Sequence, residues 1–361
     1  MSTFHKLTVS AIAPLTDQAV AVEFSVPEPL RDDYAFRPGQ HLTLRRVSGD
    51  LEDRRTYSIC STPRLLAESG RLRIGVKRVP DGVFSGWLTA GLQPGEVIEV
   101  MTPAGHFGTD VPATAPRTIG CIAAGSGITP VLSIATSVLE AEPGSEVLLV
   151  YGNRSSAQVM FLEPLADLKN RFPDRLTLLH VLSAEPQLSD LLTGRIDAGK
   201  IATLLSNPAL PAGRVSDWFL CGPFGMVTAA RDALVSGGVA ESAVHAELFY
   251  VGDAPDASAE VVESADDRGA ASAVTVTLAG RTSTMAVPFS GPSILDAVLA
   301  SRPDAPYACK GGVCGTCRAR VVEGEVRMTR NYALEPDEIA AGLVLACQSH
   351  PVSDSVQLEF R

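Results

Sequence analysis

Short runs of alternating apolar and polar residues crowd the first third of this chain. Ala19–Val26, Gln40–Arg45, Arg54–Ile59, Leu72–Val79 and Val97–Met101 each have the length and period of a strand. Turn signals at Pro38-Gly39, Pro80-Asp81-Gly82 and Pro94-Gly95 separate them. Short strands at regular intervals predict a small antiparallel β-barrel over residues 1–112. From Arg117 the texture changes. Apolar runs at Thr118–Ala123, Val147–Tyr151, Leu176–Leu182 and Asp217–Cys221 interleave with helical patterns at Pro130–Glu140 and near Met226–Val235. That alternation predicts an α/β doubly wound parallel sheet over residues 113–250.

Between Gly252 and Ala271 the chain turns acidic and small, with Asp253, Asp256, Glu260, Glu263, Asp266 and Asp267 among alanines and glycines. Residues 251–271 are expected to be a linker with solvated charges. Beyond it, Val274, Val276 and Leu278 alternate with threonines, Gly280-Arg281 reads as a turn, and Thr282–Val287 as the returning strand. Ser293 is placed to cap a helix carrying Ile294, Leu295, Ala297, Val298 and Leu299. Arg318–Val322 and Val356–Phe360 complete a mixed α+β domain over residues 272–361.

Bulk composition narrows the partners. The chain has 361 residues, 45% hydrophobic and 20% charged, enough for two or three domains with real cores. A net charge of −11 argues against nucleic acid or an anionic membrane surface as partner. Neither a signal-peptide layout at the N-terminus nor an apolar stretch long enough to cross a bilayer is seen. Of seven cysteines, Cys60, Cys121 and Cys221 fall in separate regions, so a disulfide framework is not expected and a cytoplasmic setting is.

The other four cysteines carry the most specific signal. Cys309, Cys314, Cys317 and Cys347 read C-x4-C-x2-C-x29-C, the plant-type spacing of a [2Fe–2S] cluster. Gly311, Gly312 and Gly315 let the loop curl around the ligands and aim N–H groups at the sulfurs. Four cysteines can also hold structural zinc, although zinc motifs usually come as two short C-x2-C knuckles. A Rieske centre needs two histidine ligands, and no histidine lies in the triplet. With its neighbouring strands and one helix, this region resembles the β-grasp plant-type ferredoxins.

Four more segments precede it in order. They are Arg55-Thr56-Tyr57-Ser58, Gly82-Val83-Phe84-Ser85, Gly125-Ser126-Gly127-Ile128-Thr129-Pro130 and Cys221-Gly222-Pro223-Phe224-Gly225-Met226. Taken singly, each has an ordinary structural use: an inward tyrosine, a helix cap, a tight strand–helix turn, a small buried thiol. Together, in this order, they resemble the ferredoxin–NADP reductase superfamily. The resemblance implies that Arg55 pairs with the FAD pyrophosphate, Tyr57 stacks on the isoalloxazine and Ser58 hydrogen-bonds its polar edge. It places Gly82 and Ser85 at the cofactor's phosphates, and Gly125, Gly127 and Thr129 in the nicotinamide-dinucleotide loop. It puts Cys221, with Gly222 and Pro223, near the nicotinamide, and lets Phe249 in His245-Ala246-Glu247-Leu248-Phe249 cover the flavin. Arg154, with Ser155 or Ser156, after the second strand of the sheet, suits a 2′-phosphate and so favours NADPH over NADH.

Across its length the chain further resembles the reductase subunits of phenylacetyl-CoA ring-epoxidising oxygenases. The likeness is strongest at residues 308–314, 331–338 and 347–354. It implies an NADPH-dependent oxidoreductase that passes single electrons through FAD and a [2Fe–2S] cluster to a di-iron oxygenase. Two other readings remain open: the reductase of another aromatic-ring dioxygenase or di-iron hydroxylase, and a non-enzymatic zinc-stapled interaction protein.

Overall fold

A computed structural model describes residues 3–48, 51–250, 271–334 and 336–360. The expected linker, 251–271, lies outside the described residues apart from Ala271. Two compact units make up the chain, the larger built on the first two sheets and the smaller on the C-terminal residues.

The first sheet holds β1 (Phe4–Thr16), β2 (Ala19–Ser25), β3 (His41–Ser48), β4 (Leu51–Ser58), β5 (Arg71–Lys77) and β6 (Val97–Met101), in the order β4-β3-β6-β1-β2-β5. Just past β4, Ile59 bridges Ile74 on β5 and the Cys60 N–H donates to the Arg73 carbonyl at 2.9 Å, so the ends meet and a barrel closes. Alternation does what the period predicts: Leu72, Ile74 and Val76 on β5 are all fully buried. β1 is the strand that alternation does not reveal. Most of its residues are exposed or half-buried, with only Leu7 and Val9 buried, so polar residues fall on both faces. Two helices punctuate the barrel, α1 (Pro63–Ser69) and α2 (Val83–Ala90).

The second sheet is wholly parallel. Its elements run β7 (Thr118–Ala124), α3 (Ile128–Ala141), β8 (Glu146–Asn153), α4 (Leu162–Arg171), β9 (Leu176–Leu182), α5 (Ala198–Ser206), β10 (Val215–Pro223), α6 (Phe224–Ser236) and β11 (Val244–Tyr250). The order is β11-β10-β7-β8-β9. The chain therefore winds outward from β7 in one direction, then returns to its other side. That reversal creates a crevice at the carboxyl ends of β7 and β10. Barrel and sheet share apolar packing: Ala19, Ala21, Cys60 and Phe107 cluster with Ile134, Val138 and Phe161. The Ser133 hydroxyl on α3 donates to the Ser61 carbonyl at 2.7 Å, both buried.

One ionic cluster ties the connection between barrel and sheet to the end of α3. Arg117 meets both oxygens of the buried Glu142 carboxylate, at 2.8 and 3.2 Å, and also donates to Thr109 and to the Asp110 carbonyl. The Ala113 N–H donates to the same carboxylate, and Arg175 donates to the Leu139, Glu142 and Ser145 carbonyls. Burial pushes the Glu142 carboxyl up, but Arg117, Ser145 and the Ala113 amide outweigh it and hold it below the usual carboxylate range.

The smaller unit contains β12 (Ser272–Leu278), β13 (Arg281–Val287), α7 (Ile294–Ser301), β14 (Arg318–Glu323), β15 (Val326–Met328), α8 (Pro336–Ala340), β16 (Leu343–Leu345), β17 (Ser349–Pro351) and β18 (Ser355–Phe360). Five strands form a mixed sheet in the order β13-β12-β18-β14-β16, with β12 and β18 parallel and β15 paired to β17 alongside. The β-grasp arrangement expected from the strand and helix pattern is present. Its first hairpin turns at Ala279-Gly280 rather than Gly280-Arg281. Both residues have left-handed φ, 52° and 73°, as a two-residue hairpin loop requires. Ser293 caps α7, accepting from the Asp296 N–H at 3.2 Å while donating to its carboxylate at 2.7 Å. Ile294, Leu295 and Val298 then pack against Val274, Val276, Val356 and Leu358.

Removing the Arg117 side chain leaves the Glu142 carboxylate buried without its cation. Arg117→Ala is expected to cost about 3 kcal/mol of unfolding free energy. The depressed Glu142 pKa contributes stability that is present above the unfolded value of about 4.3 and is lost as pH falls through the folded value. Urea melts of both proteins at about pH 7 and about pH 4 check this: the gap between them should narrow in acid.

Candidate flavin, nucleotide and iron–sulfur sites

The cysteine loop is curled by three left-handed residues, Lys310 (φ 52°), Gly312 (φ 77°) and Gly315 (φ 68°). The curl turns the Gly311 and Cys314 N–H groups toward Cys309 Sγ, at 3.3 and 3.4 Å. The Cys314 thiol donates to the Thr316 hydroxyl at 3.1 Å. Cys317 and Cys347 are buried, and Cys309 and Cys314 half-buried. The four thiols interact as two pairs. Cys314, with the amides of Gly311, Val313 and Cys314, holds Cys309 well below the usual thiol range, and the Cys314 thiol is pushed up in return. Cys347 is held down by Cys317, which is itself pushed up.

Four thiols from two stretches of chain, with backbone N–H groups aimed at Cys309 Sγ, are the ligand set that a [2Fe–2S] cluster would take. The residues present fit a [2Fe–2S] cluster, and their triplet-plus-single spacing differs from the paired C-x2-C knuckles usual for structural zinc.

At the barrel's edge, β4 delivers Arg55, Tyr57 and Ser58. Arg55 is exposed, with its guanidinium donating to the Arg54 carbonyl at 2.7 Å. Tyr57 is half-buried and lies nearly parallel to Phe84, 6.3 Å between centroids at 29°. Phe84 in turn meets Trp87 edge-on, so the Tyr57 ring is held by an aromatic stack. Gly82 sits at the start of α2. Ser85 Oγ accepts from the Val79 N–H at 3.1 Å and donates to the Gly82 carbonyl at 3.3 Å, shaping the turn that opens the helix.

The crevice of the parallel sheet collects the remaining motifs. Gly125–Gly127 form one tight turn between β7 and α3, fastened by Tyr151 O–H to the Gly125 carbonyl and Thr129 O–H to the Ser126 carbonyl. Gly127 touches the neighbouring loop backbone to backbone: a Cβ there would lie 2.2 Å from the Cys221 carbonyl oxygen. Only glycine permits that approach. Cys221 is fully buried, and burial followed by the charge of Glu247 pushes its thiol well above the ordinary value. It is a neutral packing group rather than a thiolate. Gly222 is buried beside it and Pro223 exposed at the strand's end. Phe249, 37% exposed, stands near the end of β11.

Two residues that sequence reasoning gave no role join this site. Glu247 on β11 lies in register with Cys221, and its carboxylate accepts from the buried Ser58 hydroxyl at 3.3 Å. His41, only 2% exposed, brings Nδ1 to 3.8 Å from the other carboxylate oxygen. The signal for Glu247 was present, an acid between apolar residues in a short strand. Nothing in the local sequence pairs residue 41 with residue 247. On the nucleotide side Arg154 is exposed and Ser155 half-buried after β8. Ser156 donates both its N–H and its hydroxyl to Glu185, at 2.7 and 3.0 Å.

Three family models match in succession: an oxidoreductase FAD-binding domain over residues 6–108, an oxidoreductase NAD-binding domain over 121–232 and a 2Fe-2S iron-sulfur cluster binding domain over 276–352. The chain is 43% identical to one component of the 1,2-phenylacetyl-CoA epoxidase of Escherichia coli (strain K12), covering 100% of this chain and 98% of that one. It belongs to the ferredoxin–NADP reductase superfamily, in the group with a C-terminal [2Fe–2S] domain. The ferredoxin reductase component of 3-ketosteroid-9-alpha-monooxygenase from Rhodococcus rhodochrous is 37% identical, over 98% of this chain and 96% of its own. The fold is that of phthalate dioxygenase reductase, with a TM-score of 0.58 and 22% identity over 99% and 98% of the two chains. As a superfamily member the chain is a flavin- and iron–sulfur-dependent oxidoreductase that uses a pyridine nucleotide. Among the described residues no helix is long and apolar enough to cross a membrane.

Gly127→Ala forces the two loops of the crevice apart. A loss of about 1–3 kcal/mol in stability is expected, with a raised KM for the nucleotide. Thermal melts and steady-state kinetics with ferricyanide as acceptor check both.

Proposed function

We propose that this chain oxidises NADPH and delivers single electrons to a di-iron oxygenase that epoxidises the ring of phenylacetyl-CoA. The full-length likeness to the Escherichia coli epoxidase component carries this reading. When bound, the nicotinamide supplies hydride, the flavin converts an electron pair to single electrons, and the cluster carries them one at a time.

The chain's own residues place and tune these groups. Tyr57 offers an aromatic face braced by Phe84, and Arg55 and Ser85 serve the FAD phosphates. Ser58 presents its hydroxyl at the flavin's polar edge and keeps its proton toward Glu247 Oε2. Cys221, neutral and buried, packs beside the nicotinamide without competing as a nucleophile. Phe249 screens the ring face from water until the nicotinamide takes its place. Gly125, Gly127, Thr129, Gly222 and Pro223 form the dinucleotide crevice. Arg154 supplies the cation for a 2′-phosphate. Glu185 already holds Ser156, so Ser155 is the serine left to help, and the Glu185 carboxylate tempers the preference over NADH. Among the described residues, which include all seven cysteines, none forms a disulfide, which suits the cytoplasm.

The steroid monooxygenase relative supports a second reading, the same modules serving a different oxygenase. Reconstitution with purified oxygenase subunits separates the two: turnover of phenylacetyl-CoA supports the first, and turnover only with another oxygenase supports the second.

Cys309→Ser is expected to abolish electron delivery to the partner while retaining NADPH oxidation by ferricyanide. Equal loss of both activities contradicts this modular route. Arg154→Ala should raise KM for NADPH about tenfold or more and leave KM for NADH nearly unchanged, as the loss of one charge-assisted contact requires. Equal effects on both nucleotides would remove Arg154 from that role.

A further inference from the structure

Gln348 directly follows the fourth cysteine, and its side chain spans three pieces of chain. Nε2 donates to the Lys310 carbonyl at 2.9 Å and lies 3.0 Å from the Cys347 carbonyl. The same nitrogen is 3.8 Å from Cys347 Sγ. Oε1 lies 3.1 Å from the Thr329 hydroxyl, which donates to it. This set of partners fixes the amide's orientation, with its oxygen toward a hydroxyl and its N–H groups toward acceptors. The main chain reinforces the arrangement. Thr329 N–H donates to the Gln348 carbonyl at 2.8 Å, and Tyr332 N–H to the Gly312 carbonyl at 3.0 Å. At Gly312 a Cβ would lie 3.0 Å from Gln348 Cγ and 3.2 Å from the Arg330 carbonyl oxygen. The ligand loop, the 329–332 segment and Gln348 therefore pack as one layer.

The geometry points to Gln348 as a positioning residue that straps Cys347 to the Cys309–Cys317 loop and, by aiming an N–H at its sulfur, sets the reduction potential of the cluster. The inference rests on the [2Fe–2S] reading of the four cysteines. A donor at a ligand sulfur stabilises the more negative, reduced form and so raises the potential. The strap also opposes the parting of loop and Cys347 that must precede loss of iron.

The test uses the full chain with its cofactors. Gln348→Leu keeps similar bulk and removes the donor. Gln348→Glu keeps the shape and sets a carboxylate oxygen against two carbonyls and a sulfur. Thr329→Val frees Oε1 while leaving the donor in place. The midpoint potential of the cluster is followed by electron paramagnetic resonance during an anaerobic redox titration. Iron release to a chelator is followed by absorbance, and iron and acid-labile sulfide per chain report that the cluster domain has assembled. Both Gln348 variants are expected to move the potential to more negative values, Glu further than Leu. Gln348→Leu should also release iron on the order of tenfold faster. Thr329→Val should shift the potential less, in the same direction.

A potential unchanged from wild type in the Gln348 variants overturns the proposal, even if iron is released faster, because a strap alone does not need the donor. If Gln348→Leu fails to assemble the cluster, Gln348→Glu and Thr329→Val decide by the same measurement. Wild-type protein without iron and sulfide would defeat the cluster reading itself, a result distinct from an unmoved potential.

Discussion

Four sulfurs from two distant stretches of chain have to meet, and each must be able to carry negative charge where it is partly or wholly buried. Two thiolates at contact distance repel, and burial adds to the cost. The loop answers with backbone N–H groups on Cys309, a hydroxyl beside Cys314 and an amide beside Cys347. Within each pair one thiol is still held down at the expense of its partner. Bound iron would supply the positive charge that lets all four ionise together. The β-grasp sheet serves this meeting. β14 leads directly out of the Cys309–Cys317 loop, β16 pairs with it, and Cys347 follows β16, so a single strand pairing brings the distant ligand to the loop.

The larger unit solves a different problem, the approach of two ring systems to one spot. The reversal of winding at β7 opens a crevice, and the Gly127–Cys221 backbone contact sets how tightly its two loops close. Shared packing and the Arg117–Glu142 cluster fix the barrel to the sheet. Ser58 from the barrel and Glu247 from the sheet can then share one hydrogen bond. A neutral Cys221 beside Glu247 is a consequence of that closeness, since burial first and then Glu247 push its thiol up.

Much of this was legible in the residues, because local period and spacing carry it. Val97–Met101 and Leu176–Leu182 are strands at the expected bounds, and Ser293 caps α7 as its position suggested. The cysteine spacing announced a cluster because three ligands are close in sequence. Long-range pairings were hidden. β1 shows little alternation because few of its side chains are buried. The first ferredoxin hairpin turns one residue earlier than expected because Ala279 accepts a left-handed φ. His41 with Glu247, Ser156 with Glu185 and Gln348 with Lys310 join residues that only the fold brings together.

Electron flow through one polypeptide is the central claim, and anaerobic titration with NADPH tests it most directly. Purified protein should contain FAD, iron and acid-labile sulfide, and its visible spectrum should show flavin and iron–sulfur absorbance bleaching together as NADPH is added. Protein that holds zinc in place of iron and sulfide, or whose iron–sulfur absorbance persists after the flavin is fully reduced, would contradict it.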